Sequence, residues 1–163
     1  MTVISISLSF LLTFFTGAFS SQTDTTFDKE TYYKVFASKD LTLISGELKS
    51  IQSADFAEKD AFEGALLMKK ASLLSSPKDK LSTFKAGHSK LEQAIHSNSN
   101  NTEYRFLRLM IQENAPKFLG YNKEIDSDKK NIVSNYKSLP TVVKQAIVNY
   151  SKTSSVLTPE SFQ

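Results

Sequence analysis

The stretch from Leu81 to Ile111 constrains this chain more than any other, because it reads as two helices folded back on one another. Leu81, Phe84, His88, Leu91 and Ile95 recur at steps of three and four, which stacks them on one helix face. Ala94 widens the stripe, while Lys85, Lys90 and Gln93 fall on other faces. Ser76 is placed to cap this helix, with Pro77 at its first position and Asp79 in its first turn. The run His96–Asn101 is rich in Ser and Asn, whose short side chains bond local backbone and end helices. Asn101 or Thr102 then caps a second arm, with Glu103 at its positive end.

That second arm, Tyr104–Ile111, is apolar at six of its eight positions, leaving a narrow wet face through Arg105, Arg108 and Gln112. A helix apolar almost all round is buried between neighbours. Pro116 stops it near Asn114. The remaining helices should pack around this one.

The first 23 residues carry no charged side chain, and Val3–Phe19 is mostly Ile, Leu, Val, Phe and Ser. Small residues follow at Gly17, Ala18, Ser20 and Ser21. An apolar core followed by small residues is the pattern of a secretory signal peptide, although no Lys or Arg precedes the core. The expectation is an exported protein, periplasmic or secreted. Retained, the same segment would be an N-terminal membrane anchor. Residues 1–20 are thus assigned to the signal peptide, 21–30 to a polar linker, 31–151 to a single helical domain and 152–163 to a polar tail.

The chain has no cysteine, so disulfides cannot hold an extracytoplasmic fold together, and no acylated cysteine can anchor it. Charge is uneven: residues 22–66 hold nine acidic and five basic side chains, residues 67–163 eight acidic and fifteen basic. The net charge is only +3 and the lysines are scattered, which argues against a nucleic-acid partner.

Before the hairpin, Tyr32, Tyr33, Val35 and Phe36 mark a short helix opened by Asp28. Leu41, Ile44, Leu48 and Ile51 mark the next after Ser38–Asp40, weakened by Gly46. Ser53 is the expected cap of a third, in which Ala57, Ala61, Gly64, Ala65 and Ala71 permit close helix–helix approach. Beyond Pro116, the aromatic connector Phe118–Tyr121 should lie on the core. Ser127 should open a helix carrying Ile132, Val133 and Tyr136, and Pro140 or Thr141 the last one, with Val142, Val143, Ala146, Ile147 and Tyr150 on one face. No sustained period-two alternation occurs. The fold class expected is all-α: six or seven short helices packed as antiparallel hairpins.

The segment Phe84–Leu109 resembles a tetratricopeptide-type repeat junction. Gly87, Leu91 and Ala94 stand where that family keeps small, large and small residues on its second helix, and an Asn-rich turn leads to an aromatic-led helix at Tyr104. The helix with Phe62, Ala65 and Leu66 would supply the first arm. The loop Leu74–Asp79 makes the unit longer than the family's 34 residues, the usual proline is missing, and no second copy follows. An irregular helical bundle is the competing arrangement. The resemblance implies a scaffold or a protein- or peptide-binding role. The exported, cysteine-free, Lys/Asn/Ser-rich composition also resembles that of secreted proteins of Gram-negative bacteria.

Catalytic motifs are missing. There is no G-x-S-x-G elbow, no H-E-x-x-H and no phosphate-binding glycine loop, so neither enzyme activity nor a cofactor is expected. His88, Glu92 and His96 follow H-x3-E-x3-H, but the outer two lie about 12 Å apart along a helix and cannot share one ion. His88 reads as a core-edge residue instead. Asp55, Asp60 and Glu63, like Asp126 and Asp128, read as first-turn acids facing a helix dipole. Arg105 and Arg108, three apart, share a face and could grip one carboxylate or phosphate, or buttress the fold through ion pairs with the acidic N-terminal helices. With Tyr104 and Tyr121 they are the candidate ligand- or partner-binding residues; Phe106 and Phe118 are further aromatics for a groove. The function expected is a non-enzymatic exported interaction module. The alternative is a binder of a small hydrophobic or anionic ligand within the bundle. Asn100–Thr102 and Asn149–Ser151 match glycan acceptor sequons.

Overall fold

The computed structural model describes residues 27–162, which are helices and connecting loops with no strand among them. Seven α-helices follow in order: α1 Lys29–Ala37, α2 Leu41–Ser53, α3 Lys59–Leu73, α4 Pro77–Ser97, α5 Thr102–Asn114, α6 Ile125–Asn135 and α7 Thr141–Ser151. Short 3₁₀ turns lie at Lys117–Leu119, Tyr136–Ser138 and Pro159–Phe162. The all-α fold is as the periodicity predicts. The segment assigned to a signal peptide lies outside the described residues. No described helix is long and apolar enough to cross a membrane.

Local chemistry explains most helix starts. Asp28 accepts a hydrogen bond from the Glu30 amide (2.9 Å), and Asp40 accepts from those of Thr42 (2.7 Å) and Leu43 (3.1 Å). Ser76 and Asn101 do the same for the Asp79 and Tyr104 amides, with Pro77 first in α4. Two starts differ from expectation. Ser53 ends α2, its hydroxyl donating to the Lys49 carbonyl, and α3 begins only after Glu58. The reason is tertiary: Phe56 in the intervening loop stacks on Phe27 with centroids 4.3 Å apart, which holds the loop out of helix. Likewise Ile125 opens α6, while Ser127 sits in its first turn and donates to the Glu124 carbonyl.

Packing centres on α3 and α5. Phe62, Leu66, Phe106, Leu107 and Leu109 are fully buried, joined by Tyr32 from α1, Ile44 and Ile51 from α2, Ile132 from α6 and Ile147 from α7. The α3/α4 pair runs antiparallel across a three-residue loop, and α5/α6 does so across a ten-residue connection. In α5/α6 the register is explicit: Thr102 meets Asn131 at one end, and Arg105 and Arg108 meet Asp128 further along. The closest pair is α3/α4, where Gly64 lies against Gly87. A Cβ added at Gly64 would fall 2.7 Å from both the Gly87 carbonyl and the Leu91 amide nitrogen. Only glycine lets these backbones approach so far.

The described segments that flank the helical domain pack against it. Within the stretch assigned to a linker, Phe27 packs edge-on against Phe62 and Tyr32, and α1 starts at Lys29. The polar tail is docked, not loose. Leu157 is fully buried, and the Glu113 carboxylate accepts from the Ser154 hydroxyl (2.7 Å) and from both the amide and the hydroxyl of Ser155. Phe162 sits 4.8 Å from the ring of Tyr136. Phe118, expected on the core, is instead 86% exposed. The 3₁₀ turn that carries it ends at Gly120, whose φ of 63° favours glycine, and past it Tyr121 does pack against the core as expected.

Candidate functional site

Three of the four residues singled out from the sequence converge. Arg108 donates from Nε to Asp128 Oδ2 (2.7 Å) and from Nη2 to Asp128 Oδ1 (2.8 Å), a two-pronged fork on a fully buried carboxylate. Its Nη1 donates to Glu92 on α4 (3.0 Å). Arg105 adds a bond from Nη1 to Asp128 (3.0 Å) and donates from Nε to the Ser99 carbonyl. Tyr121 donates its hydroxyl to the other Glu92 oxygen and packs 4.8 Å from the ring of His88. Burial works against the Arg108 charge, but the Asp128 and Glu92 carboxylates outweigh it and hold the guanidinium above its ordinary range. Burial first, then the Glu92 bond, pushes the Tyr121 hydroxyl well up.

This cluster is saturated. Both oxygens of Asp128 and Glu92 and every Arg108 nitrogen are engaged within the protein. The arginines pair with α6 and α4, not with the acidic N-terminal helices. Those acids have other partners: Glu58 and Glu103 hold Lys29, and Asp60 and Glu63 hold Lys90. Asp126 and Asp128 both stand in the first turn of α6 as expected, Asp126 exposed and Asp128 buried, where it is also the centre of the arginine pairs. Tyr104 stands apart from the arginines. It is buried at the start of α5, and burial, with Glu58 and Glu103 behind it, raises its hydroxyl pKa. Among the described residues no group of three His, Cys, Asp or Glu is arranged to hold a metal ion; Glu92 serves Arg108 and Tyr121.

A second feature, a concavity, lies elsewhere. A groove of about 1590 Å³ runs between α1, α3, the start of α4, the end of α5 and α7, with the Lys117–Leu119 turn at its edge. Its apolar wall includes Phe36, Leu73, Met110, Ile111 and Val142. Leu81 belongs here too: it opens the α4 stripe yet is 46% exposed, because the groove replaces a covering helix at that end. At the other end Leu91 and Ile95 are buried. The charged lining residues are four lysines (Lys34, Lys39, Lys69, Lys80) and one glutamate (Glu30). The walls come from five separated segments, so periodicity within any one helix could not reveal the groove.

No protein-family model matches the chain, and neither the curated proteins nor the solved structures contain a significant match.

Proposed function

We propose that the protein is a non-enzymatic helical interaction module that holds an apolar part of its partner in the groove between α1, α3, α5 and α7. One observation carries the reading: an apolar-walled concavity wider than an ordinary small-molecule pocket stands open to solvent. The pairing of α3 with α4 through Gly64 and Gly87 is in keeping with a tetratricopeptide-like scaffold role. The apolar, uncharged start of the chain supports placing this role outside the cytoplasm. Binding of an anion by Arg105 and Arg108 is less favoured, because all three Arg108 nitrogens are engaged by Asp128 and Glu92, and two of the three of Arg105 by Asp128 and Ser99.

The test is titration of the native full chain with anilinonaphthalene sulfonate. The expected result is a saturable fluorescence rise that Val142→Asp removes while the helical circular dichroism is retained. Val142 lines the groove in the first turn of α7, where an acidic residue suits the helix dipole. Leu73→Asp, on the α3 wall, is the second variant should the first unfold. Dye binding untouched by both substitutions would overturn the reading.

A further inference from the structure

The groove's charges restrict what can lie in it. Lys34 is paired with Glu30 at 2.7 Å, but no carboxylate among the described residues pairs with Lys39, Lys69 or Lys80. Among the described residues only Lys29, Lys34 and Lys90 pair with acids, so what marks the groove is its charge balance, four lysines against one glutamate. Lys69 is half-buried, its ammonium 5.8 Å from the Phe36 ring centroid on the groove wall. Burial first, and the like charge of Lys39 second, hold it below the ordinary lysine range. Three cations therefore border an apolar surface with their counter-charges missing.

Size and openness restrict it further. Pockets for small molecules run to about 300–1,000 Å³ and enclose most of the ligand. At about 1590 Å³ this groove is larger, and it stays open past exposed Leu81 and Phe118. A helix roughly 10 Å wide with a rise of about 1.5 Å per residue fills such a volume with on the order of a dozen residues, or about three turns. An amphipathic helix also buries one stripe only, so an open groove leaves its polar back in water.

Resting on the groove reading above, we propose that the occupant is an acidic amphipathic helix of a partner protein, apolar side down on Phe36, Leu73, Met110, Ile111 and Val142, with carboxylates meeting Lys39, Lys69 and Lys80. Such a helix supplies the missing counter-charges. Binding then weakens with added salt, since two of the three lysines are exposed and screened.

The experiment uses the full chain and two labelled 14-residue helical peptides with the same leucine stripe, one carrying glutamates on its flanks and one lysines. The expected result is at least ten-fold tighter binding of the glutamate peptide. Lys39→Gln combined with Lys69→Gln should remove that preference, and Val142→Asp should abolish binding of both peptides. Equal binding of the two peptides, or a preference that survives the lysine substitutions, overturns the acidic-helix proposal while leaving the groove reading intact. Failure of both peptides while dodecanoate displaces the dye makes the occupant a lipid-like anion and also overturns it. A concentration-dependent dimer that blocks the peptides makes the occupant a second copy, with the same consequence. Peptide binding indifferent to Val142→Asp and Leu73→Asp sinks the groove reading itself.

Discussion

Arg108 on α5 and Asp128 on α6 face one another through a two-bond fork, Nε to Oδ2 at 2.7 Å and Nη2 to Oδ1 at 2.8 Å, with the carboxylate fully buried. Removing one member strands the other's charge away from water. Asp128→Ala should therefore cost about 3–5 kcal/mol and lower the thermal midpoint by on the order of 10 °C. Replacing the pair together, Arg108→Met with Asp128→Leu, should cost less than Asp128→Ala alone, because the buried guanidinium goes with its partner, while part-exposed Glu92 keeps Tyr121 and Arg105 keeps the Ser99 carbonyl. Thermal melts followed by circular dichroism check both. Equal losses would mean that the pair holds the helices together by shape and not by charge.

The Gly64–Gly87 contact makes a second prediction, with its control built in. Gly64→Ala places a methyl against the Gly87 backbone, so α3 and α4 must part. The expected loss is about 1–3 kcal/mol despite alanine's better helix propensity. Gly46→Ala, in exposed α2 with nothing within 4 Å of the new Cβ, should stabilise by about 0.5–1 kcal/mol. Urea unfolding of the two variants should move the midpoint in opposite directions.

Glu113 clasps the C-terminal segment. Burial alone would raise its pKa, but bonds from the Ser154 and Tyr150 hydroxyls and from Ser155 outweigh that and set it below the ordinary value. A carboxyl with a lowered folded-state pKa stabilises the protein above its unfolded value of about 4.5. That contribution fades as pH falls through the lower folded value. The clasp is partly exposed, so roughly 1 kcal/mol is at stake after screening. Hydrogen-exchange protection at residues 154–158, taken relative to the intrinsic rate at each pH, should fall as the Glu113 carboxylate is protonated in acid and, in Glu113→Ala, at neutral pH as well. Unchanged protection in that variant would assign the docking to Leu157 alone.

Phe118 separates the groove from the core. At 86% exposure, Phe118→Ser should leave stability within about 0.5 kcal/mol while weakening dye binding at the groove's edge. Phe106→Ala, in the fully buried centre of α5, should cost about 3–5 kcal/mol. Parallel melts and dye titrations distinguish the two roles.

What could be read from residue order alone was whatever neighbours along the chain decide. Helix faces in α2, α4, α5 and α7, the caps at Asp28, Asp40, Ser76 and Asn101, and the stop before Pro116 depend on residues three or four apart. The all-α fold follows from them. The sharing of a face by Arg105 and Arg108 was legible for the same reason, but their partners were not. Glu92 lies sixteen positions before Arg108 and Asp128 twenty after it. An acid in a helix's first turn has the same local signature whether it faces solvent, as Asp126 does, or an arginine fork, as Asp128 does.

Tertiary packing settled the rest because it places segments that no local period connects. It held Phe56 against Phe27 and delayed α3, drew Leu157 and Glu113 together to dock a polar tail, and left Phe118 exposed. It also left an open apolar groove bordered by α1, α3, α5 and α7. A concavity is the space between elements, and residue order specifies the elements far more directly than the gaps they leave.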